Sequence, residues 1–347
     1  MAALVVAGLK VPPILAAAQG EDQPPQPVTL VAVGDVLLDA GLIRPTTRHG
    51  EQAAADDPAS PFRYVADLLR QADLAFCNLE GPLSRRGARV EKMFTFRGRP
   101  ESGALLAAAG IDVASVANNH TGDFGPRAFL DTLDALRAAG IQPVGGGRTL
   151  LDARLPVLFE VRGTTVAFLA YSHTYPIQFW ATRSGPGVAP ADPAQITRDI
   201  QSAKAQARVV VVSFHWGTEL AEAPHDRQVA LAHLAVDAGA DLVLGHHPHV
   251  VQGLERYKQG VICYSLGNFI FPSKNPRAQE TVMLRATIAD GRLQDVELIP
   301  MRIYGYQPRP LADLERTALA RRISDLCTVV GSTTAVTMDQ TVLLRLP

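Results

Sequence analysis

Apolar residues fall along this chain in short dense runs, separated by stretches where they return every three or four positions. The runs Val28–Val33, Leu74–Asn78, Val113–Ala117, Val166–Tyr171, Val209–Phe214 and Leu242–Leu244 read as strands buried on both faces. Between them, Pro61–Gln71, Pro100–Ala109, Pro126–Ala139, Gln195–Ala207 and Gln228–Ala238 carry helical spacing. Strands alternating with helices predict an α/β domain. Beyond Val261 the pattern changes to strand after strand, at Val261–Ser265, Thr281–Ile288 and Val296–Pro300, which predicts mixed sheets. The main domain is expected over 28–305. A further helix, Leu311–Leu326, and a strand-like tail make 306–347 a C-terminal appendage.

The first 27 residues break this pattern. MAALVVAGLKVPPILAAA (1–18) is apolar apart from Lys10, and a Pro/Gln-rich stretch follows at 19–27. An apolar segment, small residues at Ala16–Ala18 and then a linker are expected of a signal peptide, hence of an exported, cell-envelope protein.

Composition narrows the partners. Hydrophobic residues are 47% and charged residues 19%, which excludes disorder for the bulk of the chain. Lys+Arg number 33 and Asp+Glu 34, so no uniform basic field exists and a nucleic-acid partner is not expected. Passive binding of a polyanion would need a local arginine cluster that escapes this average. Cys77, Cys263 and Cys327 are too far apart for a metal knuckle, and their odd number argues against full pairing within the chain.

The chemistry sits where strands end. In α/β sheets, ligands bind beyond the C-terminal ends of the strands. Five of the apolar runs are followed by Gly34-Asp35, by Asn78-Leu79-Glu80, by Asn118-Asn119-His120 with Asp123, by His215-Trp216-Gly217-Thr218-Glu219, and by His246-His247-Pro248-His249. One such residue is ordinary turn or cap chemistry. Five sets at five strand ends indicate a shared polar site. Carboxylate, amide oxygen and imidazole together suit one or two divalent ions such as manganese, iron or zinc.

The ordered set GDVLL (34–38), NLEGPLS (78–84), ANNHTGDFG (117–125), HWGTE (215–219), GHHPHVVQG (245–253) and YSLGNFIF (264–271) resembles the CapA family of capsule-synthesis and poly-γ-glutamate-biosynthesis proteins. That family is similar to calcineurin-like metallophosphoesterases. The resemblance implies a four-layer α/β/β/α sandwich with mixed sheets. It also implies that Asp35, Glu80, Asn119, His215, His247 and His249 ligate metal, with Glu80 as the bridging carboxylate. His247 and His249 are preferred over His246 because they keep the H-x-H spacing. Leu37 stands where the first motif of those enzymes has a histidine, which removes one ligand.

His120 is the candidate acid, and Asp123 either orients it or caps the helix beginning at Pro126. Asn78, Trp216, Glu219, Asn268 and Arg97 are candidate substrate contacts. Trp216 would be an aromatic wall unless it is a packed core residue. Two functions are then open, with a cytoplasmic phosphatase whose apolar N-terminus is only a tail as a weaker third. One is a metal-dependent hydrolase acting on a phosphoester or on an amide of a γ-linked glutamyl polymer. The other is a non-catalytic envelope factor that binds or guides an anionic polymer. Either would work beside a membrane-bound polymer synthesis complex.

Overall fold

The structure is a computed structural model that describes residues 26–39, 41 and 60–345. The expected signal peptide lies outside the described residues, among which no helix is long and apolar enough to cross a membrane.

Two sheets pack face to face between two helical layers. The first runs in the order Ala335–Val336, Val342–Arg345, Arg292–Tyr304, Glu280–Ala289, Val28–Val36, Leu74–Leu79, Val113–Ser115, Gln142–Val144. It is mixed: Val28–Val36 lies parallel to Leu74–Leu79 and antiparallel to Glu280–Ala289. The second runs Leu254–Tyr257, Gly260–Cys263, Leu242–His246, Val209–His215, Thr164–Ser172, Val157–Val161. Phe76 of the first sheet stacks on Phe168 of the second, with ring centroids 6.0 Å apart. Helices Ala66–Arg70, Ser102–Ala109 and Gly125–Ala138 cover the outer face of the first sheet, and Pro193–Lys204 and Asp226–Ala238 that of the second. These are the four layers the resemblance implied.

The two-residue period of a strand decides which side chains reach the seam between the sheets. In Val209–His215 every residue is buried. Val209 and Val211 belong to the core between the sheets, whereas Val210, Val212 and Phe214 belong to the core beneath the helices. His215 follows the first set. In Leu242–His246, Leu242 and Leu244 face the seam and Val243 faces the helices, so His246 also enters the seam. His215 and His246 are register partners.

The segment from 306 is built into this frame rather than set apart from it. Gln307–Pro310 and Val342–Arg345 both pair with Arg292–Tyr304. Helix Asp313–Val329 buries Leu319, Ala320, Ile323 and Cys327 in the main core. The Cys327 sulfur accepts a hydrogen bond from the Leu254 amide at 3.3 Å, tying this helix to the edge of the second sheet. Short strands such as Gln142–Val144 and Asn268–Ile270 carry too few residues to show a period, and none was expected from the sequence.

Candidate metal centre

Asp35 lies opposite both Asn78 and Asn268 in the first sheet. Its Oδ1 accepts from Asn78 Nδ2 at 2.8 Å and lies 3.4 Å from His246 Nδ1. Its Oδ2 lies 3.1 Å from His249 Nδ1 and accepts from the His247 amide at 3.3 Å. Glu80 follows the next strand and points into the same space. Its Oε1 is 3.7 Å from His249 Nε2, 3.9 Å from His120 Nε2 and 4.0 Å from His215 Nε2. His215 Nε2 is also 2.8 Å from Asn119 Oδ1. All six residues expected to ligate metal therefore lie around one seam. His247 closes the ring, its imidazole 4.8 Å from that of His215.

The donor atoms fit a divalent cation. Glu80 is fully buried, yet neither of its oxygens has a hydrogen-bond partner among the described residues. His246 Nε2 and His247 Nδ1 likewise have no hydrogen-bond partner among the described residues, and His246 Nδ1 meets only the Asp35 carboxylate at 3.4 Å. A buried carboxylate left bare costs several kcal/mol, so such groups are paired or hold metal. Ligand atoms of Asp35, Glu80 and His215 lie within 4.8 Å of one another, as do those of Glu219, His247 and His249. Hard oxygen and imidazole nitrogen are the donors that manganese, iron and zinc share.

The charges are pushed far apart. Burial, with Asp35 beside it, raises the Glu80 carboxyl to about 8. Burial opposes a charge on His249, but Glu80 and Asp35 outweigh it and raise the imidazole to about 9. Asp35 is also opposed by burial, and contacts with His246 and His249 hold it well below the usual carboxylate range. Burial and the nearby His249 lower His247 to about 3, and burial keeps His215 neutral too. His249 Nδ1 faces Asn268 Oδ1 at 2.9 Å as well as Asp35. Oxygen acceptors on that side fix the proton on Nδ1 and leave Nε2 turned toward Glu80.

The turn that delivers these histidines is strained. His247 and His249 have φ of 95° and 59°, in the region that side chains avoid. Each costs about 1–3 kcal/mol and persists because its surroundings dictate it. Here the His247 amide is held by Asp35, and the Pro248 carbonyl accepts from Leu220 at 2.8 Å.

Asp123 does not cap the following helix, which has no side-chain cap. Its Oδ2 pairs with His120 Nδ1 at 2.7 Å and accepts from the Phe96 amide at 2.8 Å. Its Oδ1 accepts from Lys92 Nζ at 3.0 Å. Lys92 went unnoticed in the sequence because it stands in a loop with no strand end beside it. The Asn118 side chain is a hub: Nδ2 donates to Asn78 Oδ1 and the Leu79 carbonyl, and Oδ1 accepts from the His120 and Thr121 amides. His246, ranked below its neighbours for lack of spacing, sits deepest of the three histidines.

The expected substrate contacts divide. Asn78 and Asn268 hold the ligands rather than the cavity. Glu219 is exposed beside His247 and His249. The Arg97 guanidinium lies over the Phe124 ring at 4.1 Å and makes no contact with the cluster. Trp216 is fully buried: being two residues on from Phe214, it faces the same way and stacks on it at 4.6 Å, with Nε1 donating to the Tyr264 carbonyl. It is a core residue, not a wall of the site. Trp216→Ala is thus expected to cost about 3–5 kcal/mol in chemical denaturation. Loss of substrate affinity at unchanged stability would contradict that placement.

A cavity of about 580 Å³ opens over the centre, lined among others by Leu37, Phe96, His120, Glu219, His249 and Phe271. Leu37, standing for the missing histidine, is buried and forms part of this wall. Asp39 does not replace that ligand, since its carboxylate accepts from the Gly41 and Arg97 amides.

Known proteins agree with this architecture. Residues 29–273 match the model of the family described as bacterial capsule synthesis protein PGA_cap. The chain is 31% identical to capsule biosynthesis protein CapA of Bacillus anthracis, over 86% of this chain and 73% of that one. It is 34% identical to PGA biosynthesis protein CapA of Bacillus subtilis, over 80% of this chain and 72% of the relative. Among solved structures it is similar to a hypothetical protein from Thermus thermophilus, with a TM-score of 0.51 and 16% identity, covering 80% of this chain and all of the other. A family model matching well over half the chain, with relatives above 30% identity matched over more than two thirds of their length, shows that this chain belongs to the bacterial capsule synthesis protein family PGA_cap.

Proposed function

We propose that this chain is an exported, metal-dependent hydrolase of the cell envelope, working in capsule or poly-γ-glutamate synthesis beside a membrane-bound polymer synthesis complex. The observation that carries the reading is Glu80: a fully buried carboxylate with neither oxygen hydrogen-bonded among the described residues, ringed by Asp35, His120, His215 and His249. Asp35, Glu80, Asn119, His215, His247 and His249 would hold one or two divalent ions, with Glu219 at the open edge. Ions bound there would supply Lewis acidity for attack on a phosphoester or a γ-glutamyl amide.

The protein's own groups handle the proton. Asp123 fixes the His120 proton on Nδ1 and turns Nε2 toward Glu80. Burial keeps His120 below its ordinary value against the pull of Asp123. A neutral imidazole in this tautomer takes up one proton at Nε2 and can pass it on to a leaving group. Lys92 holds Asp123 and the Asn119 carbonyl, fixing the loop that carries both Asn119 and His120. Phe96 packs on the His120 ring at 4.5 Å and limits the access of water.

The second reading, a non-catalytic polymer-guiding factor, is favoured by Leu37, an apolar wall where a ligand is expected. Elemental analysis after manganese or zinc reconstitution separates the two, run beside turnover of a phosphodiester and a γ-glutamyl peptide. The hydrolase predicts bound ions and turnover, both lost in His247→Ala/His249→Ala. No ion under any condition would sink the metal mechanism and leave the guiding role.

A further inference from the structure

The end of the sandwich opposite the metal centre carries a second cavity, of about 620 Å³, at the N-terminal ends of the second sheet's strands. Five cations line it, Lys204, Arg208, Arg256, Lys258 and Arg292, against two carboxylates, Asp241 and Asp290. Both lysines are engaged: Lys204 pairs with Asp241 at 2.6 Å and Lys258 with Asp237 at 2.5 Å. Asp241 is also used by the Val210 amide at 2.7 Å. Among the described residues, Arg208, Arg256 and Arg292 have no ion-pair partner and no side-chain hydrogen bond.

Those arginines stand on rigid elements. Arg292 leaves the two-residue Asp290-Gly291 turn, both of whose residues have positive φ, as a tight hairpin requires. The stem of Arg208 lies along this turn, so close that a methyl on Gly291 would come within 3.4 Å of its Cβ, Cγ and Cδ. Arg256 is held by its amide, which donates to Ser332 Oγ at 2.8 Å. The backbones of three exposed arginines are thus fixed around one opening, and their guanidinium forks face solvent without the carboxylates that usually consume them. Each fork matches a two-oxygen anion. Their spread over three separate elements fits an extended ligand with several anionic groups better than a single small ion. The chain's net charge of −1 conceals this local excess.

We propose that this cavity binds a polyanionic chain bearing repeated carboxylates, at a site separate from the metal centre. The strand Val209–His215 spans the gap between Arg208 and His215, so the two sites lie roughly 20 Å apart. The choice of carboxylate over phosphate rests on the capsule reading above. The existence of an anion site does not.

The test is fluorescence anisotropy with a labelled γ-linked glutamate decamer on the full chain, at about 50 and 200 mM salt. Wild type is expected to bind with an affinity that falls as salt rises. Arg208→Ala/Arg256→Ala/Arg292→Ala is expected to weaken binding about tenfold or more, with an unchanged melting temperature because no pairing is lost. With divalent ions removed by chelator, so that the metal centre cannot hold the glutamyl chain as a substrate, Asp35→Asn should leave decamer binding as it was. Decamer binding that survives the triple change, or that vanishes with Asp35→Asn, overturns the assignment. Tripolyphosphate displacing the decamer at far lower concentration would overturn the choice of carboxylate.

Discussion

Glu80→Gln is expected to abolish metal binding and turnover while making the metal-free protein less sensitive to pH. Glutamine keeps the shape but offers no charge to a cation, so turnover falls on the order of a thousandfold. The stability effect has the opposite sign. In the folded chain the Glu80 carboxyl is raised from its ordinary value of 4.5 to about 8. Between those values the unfolded chain ionises this group and the folded chain does not. Stability therefore falls as pH rises through that window and levels off above it. The loss is on the order of several kcal/mol. His249, raised to about 9, adds a loss of its own above its ordinary 6.5, and part of that disappears with the Glu80 charge. Chemical denaturation of the chelator-treated proteins from pH 5 to 9 reads both effects. Parallel curves for the wild type and the variant would mean that Glu80 is not a buried, bare carboxylate.

The second large effect is steric. A methyl on Gly34 would stand 2.0 Å from the Gly267 carbonyl oxygen, which is backbone and cannot rotate away. The same carbonyl accepts from the Asp35 amide at 3.0 Å. Gly34→Ala must therefore part the strand Val28–Val36 from the segment leading into Asn268–Ile270. It is expected to cost about 3 kcal/mol or more. It also moves Asp35 away from His249, so the cation affinity of whatever folds should drop. Denaturation and a metal titration on one preparation check both. An alanine variant of wild-type stability would place these backbones further apart than described.

Much of the fold and the centre is legible in the sequence for one reason: a strand buried on both faces announces itself as an apolar run, and the polar residues just beyond its end mark the site. Asp35, Glu80, Asn119, His215, His247 and His249 all stand at such ends, and the structure gathers them at one seam. Trp216 shows the limit. It stands at a strand end as His215 does, but alternation sends neighbours to opposite faces, and which face is the seam is decided only by the pairing of the sheets. Arg97 fails for another reason, because the face of Phe124 competes for its guanidinium. Lys92 and the lone arginines Arg208, Arg256 and Arg292 carry no local signal at all. They become a constellation only when distant turns are folded against one another. The segment after 306 looks separable because its strands are short, yet their partner, Arg292–Tyr304, is a long central strand.

The alternation in Val209–Trp216 also limits how this chain can change length. His215 and Trp216 are adjacent, one committed to the seam and the other to the helical core. Deleting a single residue before them would exchange their destinations, setting a bulky indole among the carboxylates and an imidazole in hydrocarbon. Only paired insertions or deletions keep the phase. Drift in length is thus confined to the loops outside this strand, and the strand itself acts as a ruler for the whole centre.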